Sequence, residues 1–221
     1  MRIVTFNIQH GRTPAGRVDV DLVARVCKGF DADVLALQEV DVRRRRSGWA
    51  DTVERIRAET GLHGVFGPAI RGYGNALFST QPMTDVTNHR LPRHGRREPR
   101  SLLLATIHGI RVGVTHLSID EAEARTQLAA ALNDHRPDLL LGDLNLRTAQ
   151  LADVAGLVQT GGPTWPADAP RIRIDHAIVA TTTTTATTAP TRLRVTAAQA
   201  LPAPPVSDHL PLLLEAEISP G

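Results

Sequence analysis

The chain has 221 residues, a formal net charge of +2 and 42% hydrophobic residues. That length bounds it to one domain or two small ones, and that composition suffices for a sizeable buried core. A single cysteine, Cys27, excludes an intramolecular disulfide, and no stretch is long and apolar enough to read as a membrane span. The opening Met1-Arg2-Ile3-Val4-Thr5-Phe6-Asn7 turns polar too soon for a secretory leader. These features lead to the expectation of a soluble, cytoplasmic monomer, with one domain over residues 1–221 and no membrane anchor.

The basic residues are nearly all arginine; Lys28 is the only lysine. Arginine keeps its charge and forks onto phosphate oxygens in a way lysine does not. The arginines gather at Arg43–Arg46 and again at Arg90, Arg93, Arg96, Arg97 and Arg100. Either cluster reads as a solvated loop or as a phosphate-contacting patch.

In chain order, the β-branched run Arg2–Ile8 predicts a first strand. Val18–Phe30 follows with Leu22, Val23, Val26 and Phe30 at helical spacing, and Cys27 within it reads as a buried thiol. A strand over Asp33–Glu39 and a charged amphipathic helix over Asp51–Thr60 come next. Strands are then expected over Gly74–Ser79, Ser101–Ile107 and Arg111–Leu117, the last two joined as a hairpin through His108-Gly109-Ile110. A helix over Glu121–Asp134 precedes strands over Asp138–Leu144, Ile174–Ala180, Arg192–Ala197 and Leu210–Ile218. The threonine-rich Ala180–Pro190 reads as a strand end and exposed loop, and Leu201–Val206 as an extended connection into Ser207. Because strands and helices do not alternate strictly, a purely parallel sheet does not fit. Two sheets packed face to face, with helices outside, fit better.

Several strands end on a polar residue suited to chemistry. Ile3-Val4-Thr5-Phe6 leads to Asn7, Val34-Leu35-Ala36-Leu37-Gln38 to Glu39, Val112-Gly113-Val114-Thr115 to His116, and Leu139-Leu140-Leu141-Gly142 to Asp143 and Asn145. Singly, each has a plain structural reading: a turn cap for Asn7, a surface acid for Glu39, a core histidine for His116. The set together is more than strand termini usually carry, and strand ends are where a rigid scaffold presents reacting groups.

The motifs Thr5-Phe6-Asn7-Ile8, Leu37-Gln38-Glu39-Val40-Asp41, Thr115-His116-Leu117, Leu141-Gly142-Asp143-Leu144-Asn145, Arg173-Ile174-Asp175-His176 and Ser207-Asp208-His209-Leu210-Pro211 run through nearly the whole chain. In this order the sequence resembles the endonuclease/exonuclease/phosphatase superfamily, with the fold named after deoxyribonuclease I. The resemblance implies a four-layer α/β sandwich in which helices flank two packed, mostly antiparallel mixed sheets. It also implies a Mg²⁺-dependent phosphoester hydrolase, with Mn²⁺ as a substitute. Glu39 would be the principal metal ligand, assisted by Asn7, with Asp208 in the metal region. Asp143 would orient or deprotonate the attacking water, and Asn145 would hold it or a phosphate oxygen. His209 would contact the scissile phosphate, Asp175 would fix the tautomer of His209, and His116 would donate to the phosphoryl group.

Such residue types suit the reaction, because hydrolysing an anionic phosphoester needs charge neutralisation, an activated in-line water and a stabilised leaving oxygen. The expected substrate is a nucleic-acid backbone, DNA or RNA, with a small soluble or lipid-headgroup phosphoester as the alternative. Asp41 reads as either an arginine partner or a catalytic acid. Trp165 reads as a wall of the site or as core edge, while His10, His89, His94 and His108 read as surface and His176 lies outside the site.

Overall fold

Each of the three helices begins where an aspartate can satisfy a free N–H. Asp19 accepts from Leu22 at the start of α1 (Val20–Gly29), Asp51 from Glu54 at α2 (Thr52–Thr60), and Asp120 from Glu123 at α3 (Glu121–Asn133). In the computed structural model of the chain, residues 1–180, 192–202, 204 and 206–219 are described. Cys27 lies on the buried side of α1, and burial pushes its thiol pKa far up, so it is an inert part of the core as the spacing suggested. Among the described residues no helix is long and apolar enough to cross a membrane.

The strands are β1 (Arg2–Asn7), β2 (Val34–Asp41), β3 (His63–Ile70), β4 (Tyr73–Ser79), β5 (Thr84–Arg90), β6 (Ser101–Ile107), β7 (Ile110–His116), β8 (Leu139–Asp143), β9 (Asp175–Val179), β10 (Arg192–Ala200) and β11 (Leu212–Ser219). They form a six-stranded sheet in the order β10-β11-β1-β2-β4-β3 and a five-stranded sheet in the order β5-β6-β7-β8-β9. β1 pairs with β2 in parallel, as does β7 with β8; the other pairings are antiparallel. The expected hairpin joins β6 to β7, with His108 and Gly109 both at positive φ, as a two-residue turn between twisted strands requires.

Alternation along the strands sorts the apolar residues into three layers. Ile3, Val34, Ala36, Leu77, Leu103, Val112, Val114, Leu139, Leu141, Ala177, Leu212 and Leu214 pack between the sheets. Val4, Phe6, Leu35, Leu37 and Phe78 face the other way, against Val23, Cys27, Val53 and Ile56 of α1 and α2. Leu102, Leu104, Leu140 and Ile178 face Ala124, Leu128 and Ala131 of α3. At roughly 1.5–3 kcal/mol for each large side chain withdrawn from water, these layers dominate the favourable side of folding. The result is helices, sheet, sheet and helix in succession, the expected four-layer sandwich.

Two strands were not expected. β5 is exposed almost throughout, and β3 is half-exposed and interrupted by Gly64, Gly67 and Pro68. Both therefore lack the apolar run by which a strand is recognised. They are outer strands, β3 closing one edge of its sheet and β5 one edge of the other. The threonine-rich stretch lies outside the described residues apart from Ala180.

Gly142 is what lets β8 run close beside β7. A Cβ added there would lie 1.9 Å from the Thr115 carbonyl oxygen, and φ is +151°. Gly142→Ala is expected to cost about 3 kcal/mol, since backbone cannot yield as a side chain can. Thermal unfolding followed by circular dichroism should show a midpoint lowered by roughly 6–12 °C.

His176 points from β9 toward the α3 side, away from the sheet interface. Its Nε2 donates to the Leu146 carbonyl at 2.8 Å, and burial, aided by the Arg173 charge, lowers its pKa from 6.5 to about 4. The unfolded chain thus binds the extra proton between about pH 6.5 and 4. The stability this group contributes is complete above that window and lost as pH falls through it. Urea unfolding of His176→Gln should therefore lose about 2 kcal/mol less than wild type between pH 7.5 and pH 5.

Candidate active site

The rows of side chains between the two sheets turn polar at one end. Ile3 and Thr5 on β1 are followed on the same face by Asn7; Val112 and Val114 on β7 by His116; Leu139 and Leu141 on β8 by Asp143. On β9, which runs antiparallel to β8, Asp175 precedes Ala177. Register places His116 opposite Asp143 and Asp143 opposite Asp175, so the three lie in one line across the five-stranded sheet.

Glu39 needs a different device. Strict alternation from Leu35 and Leu37 would send it into the layer under α1 and α2. The pairing of β2 with β4 slips between Leu37 and Val40, and Glu39 takes φ +58°. Val40 occupies the helix-side layer instead, and Glu39 is released toward the cleft. A bulge that re-aims one side chain does this at the cost of one unpaired position.

At the cleft the Asn7 amide bridges the two sheets. Asn7 Nδ2 donates to Glu39 Oε1 at 3.2 Å and to Asp143 Oδ2 at 3.0 Å. Its Oδ1 accepts the Gln9 N–H at 3.0 Å, which settles which end of the amide is which. The other oxygen of Asp143, Oδ1, accepts the backbone N–H of Asn145 at 3.0 Å. Asn145, at φ +51°, donates through Nδ2 to the Leu117 carbonyl at 3.0 Å and to His116 Nε2 at 3.1 Å. His116 is therefore an acceptor at Nε2 and carries its proton on Nδ1. Burial, with the Arg100 charge nearby, holds its pKa well below 6.5 and keeps it neutral.

His209 enters on the loop before β11. Ser207 Oγ donates to the Asn7 carbonyl at 2.6 Å and accepts the His209 N–H at 3.1 Å, so the loop is latched to the end of β1. The His209 ring donates from Nδ1 to Asp175 Oδ2 at 2.9 Å and holds Nε2 at 3.7 Å from Asp143 Oδ2. Asp175 is itself fixed by Thr164, whose Oγ1 accepts its N–H at 3.2 Å. Burial disfavours a charged His209, but the Asp175 carboxylate outweighs it, with Asp143 adding, and the pKa rises to about 10. Asp143 moves up because it is buried and sits near Asp175. Burial also works against Glu39, but His10, His116 and the Asn7 amide around it bring it down to about 2.

All eight sequence-derived residues gather here: Asn7, Glu39, His116, Asp143, Asn145 and His209, with Asp208, line one cleft of about 360 Å³, and Asp175 lies just beneath it. Asp208 is the most exposed of them, with Oδ1 4.0 Å from His209 Nε2, and it accepts from Trp165 Nε1 at 3.5 Å. Asp143, Asp175 and His209 each bring one donor atom within 4.8 Å of the others, a spacing compatible with a cation. His209 Nδ1 is already committed to Asp175, however, and the imidazole holds its proton through the neutral range. That trio is better suited to keep a proton than a metal. The oxygen donors of Glu39 and Asp208, open to the cleft, have the chemistry a hard divalent ion requires.

Some residues fall where the sequence did not put them. His10 is not surface: it lines the cleft, with Nδ1 3.6 Å from Glu39 Oε2. Its signal was present in Asn7-Ile8-Gln9-His10, three residues beyond a strand end, but no spacing rule marks it. His94 and His108 are exposed as expected, while His89 is half-buried and stacks on His135. Asp41 is fully buried and takes a two-pronged bond from Arg46, at 2.7 and 2.8 Å, which makes it an arginine partner. Arg97 is likewise tied to Asp120 on α3, whereas Arg100 reaches into the cleft. Arg43–Arg46 form one side of an adjoining groove of about 1390 Å³, together with Trp49, Phe66 and Arg71.

Comparison with known proteins agrees with this architecture. No curated protein matches the sequence. Among solved structures, an endonuclease/exonuclease/phosphatase from Beutenbergia cavernae is 24% identical with a TM-score of 0.78, over 99% of this chain and 72% of that one. Humanized D. rerio TDP2 is 19% identical with a TM-score of 0.72, over 98% of each chain. D. rerio TDP2 complexed with a single-strand DNA product is 16% identical with a TM-score of 0.67, again over 98% of each. The family model described as "Endonuclease/Exonuclease/phosphatase family" matches residues 4–209. The chain therefore belongs to the endonuclease/exonuclease/phosphatase family of metal-dependent phosphoric ester hydrolases.

Proposed function

We propose that the chain is a phosphodiesterase that cuts a nucleic-acid backbone with the help of Mg²⁺ or Mn²⁺. The observation that carries this reading is Asp143, a buried carboxylate bonded by Asn7 and Asn145 and 3.7 Å from a protonated His209, at the floor of an open cleft. Water attacks phosphorus in line, its proton passes to Asp143, and the P–O bond to the leaving oxygen breaks. A raised carboxylate pKa makes Asp143 a more effective proton acceptor than an ordinary aspartate. His209 donates from Nε2 to a non-bridging oxygen, with its charge secured by Asp175. Asn145 and His116 brace each other and Asp143 beside the phosphoryl group, and Asn7 aligns Glu39 against Asp143. Glu39 and Asp208 would hold the divalent ion, which would supply charge neutralisation on the phosphate.

The groove next to the cleft supports a polymer rather than a small ester. Arg44 and Arg46 line both spaces, so one substrate can run continuously from one to the other. Trp49 stands 67% exposed above this basic floor, where an unstacked base can lie on it. A neighbour in fold, D. rerio TDP2, has been captured with single-strand DNA product.

Purified protein with Mg²⁺ or Mn²⁺ should cleave a labelled single-stranded oligonucleotide, and chelation should stop it. Asp143→Asn should lower kcat by roughly 10²–10⁴ with the fold intact. Undiminished turnover in that variant would sink the proposed role. Trp49→Ala should weaken oligonucleotide binding by about 1–3 kcal/mol, and Arg43→Ala with Arg45→Ala should flatten its salt dependence by about 0.7 per lost phosphate contact. Neither change should touch hydrolysis of a small chromogenic phosphodiester. If both variants leave oligonucleotide binding untouched, the substrate is a small soluble or headgroup phosphoester instead.

A further inference from the structure

We propose that His10 supplies a nitrogen ligand to the divalent ion at Glu39, and that it biases the site toward Mn²⁺ over Mg²⁺. This rests on the reading that Glu39 holds the catalytic ion.

β1 ends at Asn7, and the chain turns at once through a short 3-10 turn, Gln9–Gly11. Gln9 and His10 both take left-handed backbone, at φ 44° and 49°. Two successive non-glycine residues in that region are costly, and they persist only where neighbours dictate the path. Here the neighbours do. Asn7 Oδ1 accepts the Gln9 N–H at 3.0 Å, Gly11 N–H bonds the Ile8 carbonyl at 2.8 Å, and Arg12 N–H bonds the Gln9 carbonyl at 3.0 Å. Arg12 in turn accepts the Ser207 N–H at 2.8 Å, from the loop that carries His209.

The strained turn delivers one ring nitrogen. His10 Nδ1 is buried, has no hydrogen-bond partner among the described residues, and faces Glu39 Oε2 at 3.6 Å. That distance is too long for an N–H···O bond. It does fit two ligands of one ion: donors roughly 2.1–2.2 Å from a metal lie about 3 Å apart when adjacent and about 4 Å when opposite. Asn7 turns its N–H groups toward Glu39, so His10 Nδ1 is the uncommitted lone pair beside that carboxylate. Mg²⁺ takes oxygen ligands almost without exception, whereas imidazole is an ordinary ligand for first-row transition ions.

The test is electron paramagnetic resonance of the full chain loaded with Mn²⁺, with electron spin-echo modulation reporting ligand nitrogen. Wild type should show histidine ¹⁴N coupling, and His10→Ala and His10→Phe should both lose it. Each variant should weaken Mn²⁺ binding by at least about tenfold and Mg²⁺ binding, measured by competition, by less than about threefold. Absence of nitrogen coupling in Mn²⁺-loaded wild type would overturn the inference, as would coupling that survives in both variants. Glu39→Gln should abolish the coupling; unchanged Mn²⁺ affinity in that variant would overturn the metal placement along with it. Nitrogen coupling in a protein that hydrolyses no phosphoester would support the ligand and sink the proposed activity.

Discussion

The Asn7 side chain donates from one nitrogen to a carboxylate on its own sheet and to another on the facing sheet. The two acids would otherwise confront each other at the floor of the cleft with no donor between them. Shared N–H bonds lower the cost of keeping both there, because a buried carboxylate without a donor is strongly disfavoured. The amide is itself pinned by Gln9 and its carbonyl by Ser207, so the ends of β1, β2 and β8 and the loop before β11 meet at one point. The strain at Gln9 and His10 follows from the same anchoring.

Charge in the cleft is arranged around a single well-secured cation. His209 is protonated because Asp175 lies behind it, and it remains within reach of Asp143 in front. His116, equally buried, has no carboxylate behind it and stays neutral, with Arg100 opposing any charge. Two histidines on one cleft wall thus have opposite electrical roles, decided by what each ring's second nitrogen meets. Arginines are sorted in a similar way: Arg46 and Arg97 are spent on Asp41 and Asp120, while Arg43 and Arg45 remain open to solvent along the groove.

Much of this was legible in the sequence, and the reasons are physical. Strands buried on both faces, such as β1, β2 and β8, announce themselves as apolar runs, and the acid or amide that ends each run stands out against it. β3 and β5 were invisible because an outer, exposed strand needs no apolar pattern. The strand-end residues do gather in one cleft, but how Glu39 reaches it was not legible, because a bulge is a property of pairing and leaves no mark on one strand alone. His10 was misplaced for the same reason: left-handed backbone at Gln9 and His10 reverses the direction the ring would otherwise take.

Strand order has a consequence for how the molecule is made. β1, the first strand in this sequence, lies between β2 and β11, the last strand described. Ser207 and Asn7, which tie the loop before β11 to the end of β1, are 200 residues apart in the chain. Pairings so distant in sequence form late and slowly, so the edge of β1 that faces β11 is filled after the contacts between neighbours in the chain. The cleft is complete only when that edge is filled, because Asp208 and His209 stand on the loop that leads into β11. Completing the sheet and completing the cleft are therefore one event.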